Sequence, residues 1–99
     1  MLHHIIVKWN ITADKKTLAA EVRELYRNAA DIPGINGVEI KENIIPRENR
    51  YDLMIVLNME EEALPVWDNS DLHKKWKSEY SALIEKKCIF DSALSSIQP

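Results

Sequence analysis

Apolar and polar positions divide the chain into a strand, a helix, two strands, a broken helix and a last strand. From Leu2 to Asn10, the odd positions are His3, Ile5, Val7 and Trp9, and the even ones are Leu2, His4, Ile6, Lys8 and Asn10. Both sets carry apolar bulk, as a central strand contacted on both faces requires. Asn10-Ile11-Thr12-Ala13-Asp14 then offers turn chemistry, with Thr12 or Asp14 as the N-cap of a helix. From Lys15 to Ala30 the period turns helical, with Leu18, Val22, Leu25, Tyr26 and Ala29 on one stripe. Pro33-Gly34 stops that helix. Val38-Glu39-Ile40-Lys41 alternates as a strand with one solvated face, and Ile44 to Arg50 reads as a loop. In the strand from Tyr51 to Met59, Tyr51, Leu53, Ile55, Leu57 and Met59 share a fully apolar face. Glu60-Glu61-Glu62 places negative charge at a helix start, where the macrodipole favours it, and Pro65 is tolerable only in that first turn. Asn69-Ser70-Asp71 interrupts the helix and caps a second run from Asp71 to Glu85. Lys87 to Asp91 closes the chain as a short strand, and Ser92 to Pro99 is expected to be a loosely held tail.

This βαββαβ order predicts an α+β, ferredoxin-like unit with a four-stranded antiparallel sheet whose first and third strands are central. Two helices cover only one face of such a sheet. Leu2, Ile6, Met54 and Val56 would then line an uncovered apolar face, which a second copy of the chain would bury. A homodimer is therefore expected.

Composition narrows the picture. With 99 residues the chain is expected to form a single domain. Thirteen basic against sixteen acidic residues give a net charge of −3, which argues against a nucleic-acid binder. No apolar run approaches the ~20 residues that span a bilayer, and the start of the chain does not read as a signal peptide. A lone cysteine, Cys88, excludes an internal disulfide and suits a reducing cytoplasm; alternating with Phe90 on a short strand, it is expected to be a buried structural thiol. Two glycines leave little with which to cradle a phosphate, and no metal or cofactor motif is present in the sequence.

The candidate chemistry lies in the histidines. His3 and His4 point to opposite faces of one strand and cannot share a metal. His3 belongs with Ile5 and Val7 on the helix side, while His73 precedes Trp76, Tyr80, Leu83 and Ile84 by 3, 7, 10 and 11 residues, on or beside a buried stripe. The two would meet at one end of the helix–sheet layer, where an imidazole works as acid or base near neutral pH. The plainer reading is a pair of hydrogen-bonded, partly buried histidines. Likewise, Trp9, Trp67, Trp76, Tyr26, Tyr51 and Tyr80 read first as core, with room for a small apolar pocket among them. The basic cluster Lys74, Lys75, Lys77, Lys86 and Lys87 reads as a solvated face.

The opening frame from His3 to Trp9, the Ile32-Pro33-Gly34 stop, Tyr51-Asp52 at the third strand, Trp67 six residues before His73, and the close from Glu85 to Asp91 resemble the Dabb family. These are stress-responsive dimeric α/β-barrel proteins. The resemblance spans nearly the whole chain and implies a ferredoxin-like homodimer whose sheets close into a barrel. One branch of the family is a polyketide cyclase that uses two histidines and two tyrosines. The histidines fall on His3 and His73, but the tyrosines fall on Leu25 and Trp67, and the His-Pro pair preceding the second histidine reads Ser70-Asp71 here. The expected cleft is lined by His3, Ile5, Val7, Leu25, Tyr26, Ile55, Trp67, His73 and Trp76. Three roles follow from this reading. The protein binds a small apolar or carbonyl-containing molecule; or it abstracts a proton beside a carbonyl, with His73 as base and His3 orienting the oxygen; or it is a non-catalytic structural dimer.

Overall fold

The computed structural model describes residues 1–94. Its strands are β1 (Leu2–Trp9), β2 (Ile35–Glu42), β3 (Leu53–Met59) and β4 (Ile84–Ser92), and its helices are α1 (Lys15–Tyr26), α2 (Leu64–Asp68) and α3 (Asp71–Tyr80). The strands form one antiparallel sheet in the order β2-β3-β1-β4, so the two strands with apolar residues on both faces are central. Within one chain the sheet is open, with β2 and β4 as its edges.

Local chemistry sets the helix ends. Asp14 caps α1 by accepting from the Thr17 N–H at 3.2 Å, and that bond holds its carboxyl below the ordinary range. Ser70 caps α3 in the same way, accepting from the His73 N–H at 3.1 Å. Pro65 lies in the first turn of α2, where its missing N–H costs nothing.

Several boundaries differ from the sequence pattern. The helix expected to Glu85 ends at Tyr80, and the strand expected from Lys87 begins at Ile84. Asn10 explains the change: its backbone N–H donates to Leu83 O at 2.8 Å and its amide to Ala82 O at 2.9 Å. Those bonds tighten Ser81–Leu83 into a 3-10 turn and deliver Ile84 to its partner Trp9. Leu83 is consequently on the surface. The first helix stops at Tyr26, with a separate 3-10 turn at Ala29–Asp31. Ser92, assigned to the expected tail, pairs with Leu2 at the end of β4; residues 95–99 of that tail lie outside the described residues.

Strand parity separates the two faces. His3, Ile5, Val7 and Trp9 are buried under the helices, with Leu53, Ile55, Leu57 and Met59 beside them. On the other face Leu2, Ile6, Met54 and Val56 are half-exposed, and Phe90 is exposed at the edge. His4 joins that outer face, where its Nδ1–H donates to Phe90 O at 2.9 Å and its ring meets the Phe90 ring edge-on at 5.9 Å.

Gly34 fixes the entry to β2. Its φ is +87°, and a Cβ there would lie 2.5 Å from the Cβ of Ala63. Glu60 N–H donates to the Gly34 carbonyl at 2.9 Å, locking the turn against the start of the second helical segment. Gly34→Ala should therefore lower stability in urea denaturation by about 2–4 kcal/mol, from left-handed strain plus the clash. Gly37→Ala, with open space around the new methyl, should stay within about 0.5 kcal/mol.

Candidate functional site

The register of β1 against β4 places His3 opposite Asp91. His3 is 5% exposed, and its Nδ1 lies 2.5 Å from Asp91 Oδ1. A carboxylate only accepts, so the shared proton belongs on Nδ1 and Nε2 is left to face elsewhere. His73 is held comparably: its Nδ1 is 3.0 Å from the backbone oxygen of Asp68. A carbonyl also only accepts, so Nδ1 carries the proton and Nε2 keeps its lone pair. The His73 ring rests 5.0 Å from the Trp67 ring.

Topology brings these groups to one end of the sheet. The start of β1 pairs with the end of β3, and α2 begins five residues beyond that end. The last residue of α1, Tyr26, reaches the same cluster, with its ring 5.8 Å from both Trp67 and Trp76. Its hydroxyl is buried without a hydrogen-bond partner among the described residues, at a cost of about 1–3 kcal/mol, and burial pushes its pKa strongly upward.

Of the cleft-lining residues expected from the sequence, Ile5, Val7, Tyr26, Ile55, Trp67 and Trp76 are each at most 2% exposed and belong to the core. Leu25 is only partly buried and packs on the margin of that core. A shallow groove of about 680 Å³ lies between Ile32-Pro33 and the α2–α3 junction, and neither histidine is among its lining residues. The partner of His3 was not legible: Asp91 lies 88 residues away and only the sheet register connects the two. A carboxylate with a largely buried side chain, Asp52, was also missed. Asp52 Oδ2 accepts from the Trp9 N–H at 2.8 Å while Lys15 Nζ sits 3.0 Å from Oδ1.

No family model and no curated protein matches the sequence. Solved structures do. A dimeric ferredoxin-like protein of unknown function from Thermobifida fusca is 16% identical, with a TM-score of 0.79 over 94% of this chain and 89% of that one. The fold is ferredoxin-like. Hydroxynitrile lyase from Passiflora edulis shares this ferredoxin-like architecture at 12% identity, with a TM-score of 0.77 over 99% of this chain and 95% of that one. A dabb family protein from Mesorhizobium loti is 15% identical, with a TM-score of 0.62 over 96% and 97% of the two chains. The last agrees with the resemblance read from the sequence.

At the far end of the aromatic layer, Tyr80 stacks on Trp76 at 5.3 Å and donates from its hydroxyl to Glu21 Oε1 at 3.0 Å. Burial, helped by that bond, pushes the Tyr80 pKa up from 10.0 to about 12. The folded state thus holds this proton longer than the unfolded chain, and stability is lost as pH rises above 10. Stability should be insensitive to this group through neutral pH and fall between about pH 10 and 12. Tyr80→Phe should flatten that part of the curve in denaturation followed by circular dichroism.

Proposed function

We propose that the protein is a Dabb-type homodimer in which each helix–sheet layer binds a small carbonyl compound at the His3–His73 end. The observation that carries this reading is the buried His3 imidazole held by the exposed Asp91 carboxylate, at the sheet end toward which the α2–α3 junction brings a second imidazole, His73, whose Nδ1 is fixed by a backbone carbonyl. In its protonated form, His3 directs an Nε2–H donor away from Asp91, suited to a carbonyl oxygen. His73 presents an Nε2 lone pair, suited to a proton on the adjacent carbon. The C–H electron pair would become the C=C bond of an enolate, while the carbonyl π pair moves to the oxygen facing His3. A hydroxynitrile lyase among the structural neighbours supports the idea that this fold accommodates carbonyl chemistry.

The close packing of Tyr26, Trp67 and Trp76 favours a second reading, a non-catalytic dimer with a filled core. Exchange of the α-protons of a β-keto thioester in D2O, followed by NMR, separates the two. Catalysis should accelerate exchange over buffer, and His73→Ala should remove about 10²–10⁴-fold of that acceleration. Exchange at the buffer rate with the native protein would leave the filled-core dimer.

Dimerisation is proposed through the outer sheet face, with the two sheets together making the barrel. Neighbours described as dimeric support this, as do the half-exposed Leu2, Ile6, Met54 and Val56. The single thiol, Cys88, expected from the sequence to be buried, is instead exposed on the edge strand β4. Light scattering should give twice the 11.5 kDa chain mass. Val56→Asp should yield a folded monomer; a dimer that survived this change would place the interface elsewhere.

A further inference from the structure

A cavity of about 750 Å³ opens at the opposite end of β1, around Lys8 and Trp9. Five residues separate Lys8 from His3, or about 17 Å along the strand, so this site is independent of the histidine pair. Five basic and three acidic side chains line it, although the whole chain is acidic. Two of the acids are already engaged: Asp52, with a side chain nine-tenths buried, by Lys15 and the Trp9 N–H, and Glu85 by Lys8 at 4.0 Å. Lys8 also donates to Glu48 O at 2.6 Å, tying the β2–β3 loop to the strand. That loop is further closed by Arg50 N–H to Arg47 O at 3.1 Å, which sets the two arginines at the first and last positions of one turn. Their Cα atoms are thus within about 7 Å. Arg50 donates to the neutral amide of Asn49, and among the described residues neither arginine nor Lys86 has a carboxylate partner. Beside these cations stand exposed Ile11 and Ile44, at 94% and 85%, together with Pro46.

We propose that this cavity binds a single-chain amphiphile with an anionic head, the head against Arg47, Arg50 and Lys86 and the chain along Ile11, Ile44 and Pro46. A guanidinium pair favours a carboxylate or phosphate oxygen set, which it meets in bidentate fashion. Covering the two isoleucines removes from water apolar surface that the isolated chain leaves exposed.

The test is calorimetric and NMR titration of the full chain with submicellar dodecanoate and dodecyl phosphate, with dodecanol and inorganic phosphate as single-feature probes. Either amphiphile should shift the amides of residues 43–52 and the Trp9 indole, and the tighter of the two identifies the head group. Arg47→Gln/Arg50→Gln should weaken binding by at least about tenfold, whereas Lys77→Gln, on the exposed face of α3, should leave it unchanged. Amide spectra of both variants establish that they remain folded. Dodecanol binding as tightly as dodecanoate, inorganic phosphate binding as tightly as dodecyl phosphate, or shifts confined to the outer sheet face would each overturn the proposal.

Discussion

Every feature of consequence hangs on the side-chain parity of β1 in its register between β3 and β4. Because strand side chains alternate, pairing His3 with Leu57 and Asp91 commits His3, Ile5, Val7 and Trp9 to the helix side. A slip of one residue would turn Leu2, His4, Ile6 and Lys8 inward instead, burying a lysine under two helices and leaving Trp9 in water. Fully burying each large apolar side chain contributes about 1.5–3 kcal/mol, so four misplaced positions would exceed most of the stability of a small domain. Asn10 secures the register from the other end: its bonds to Ala82 and Leu83 deliver Ile84 to Trp9.

The aromatic layer transmits that register to the helices. Trp9 meets Trp76 edge-on and Tyr80 at a tilt, Trp76 touches Tyr26, and Tyr26 touches Trp67, which carries His73. One chain of ring contacts thus runs from the C-terminal end of β1 to the histidine at the other end. Close-packed interiors deform little, so the geometry at His73 depends on rings whose own positions are set by the sheet. The Tyr26 hydroxyl, buried in this layer without a partner among the described residues, is where close packing and polar satisfaction conflict. Such local conflicts belong to functional or strained sites more often than to a finished core.

How much of this the residues disclose depends on the range of the interaction concerned. The two central strands were legible because their alternation is intrinsic to residues 2–9 and 53–59, and the α1 stripe because Leu18, Val22 and Tyr26 repeat at helical spacing. The end of α3 was not. Leu83 and Ile84 continue the helical stripe from Trp76 and Tyr80, and only capture by Asn10, over 70 residues away, breaks the helix there. Element order could propose one end of the layer for His3 and His73 but not their orienting partners, since Asp91 comes from sheet register and the Asp68 carbonyl from the kink between two short helices. Arg47 and Arg50 look like ordinary loop polarity until the Lys8 tether turns their loop into a cavity wall.

The net charge of −3 averages over two unlike ends. The groove at the α2–α3 junction is lined by Asp31 and Asp71 and, among the described residues, by no lysine or arginine, whereas the cavity at Trp9 has cations in excess. With a screening length of about 8 Å at physiological ionic strength, fields from two sites some 17 Å apart along one strand scarcely mix. Each end therefore selects by its own charge. An anion approaching the molecule is repelled from the groove and drawn to the arginine turn. A neutral carbonyl compound meets no such barrier at the histidines, where its binding would rest on apolar contact and on oriented hydrogen bonds. The separation would let one small sheet support the two proposed kinds of recognition without either disturbing the register on which both depend.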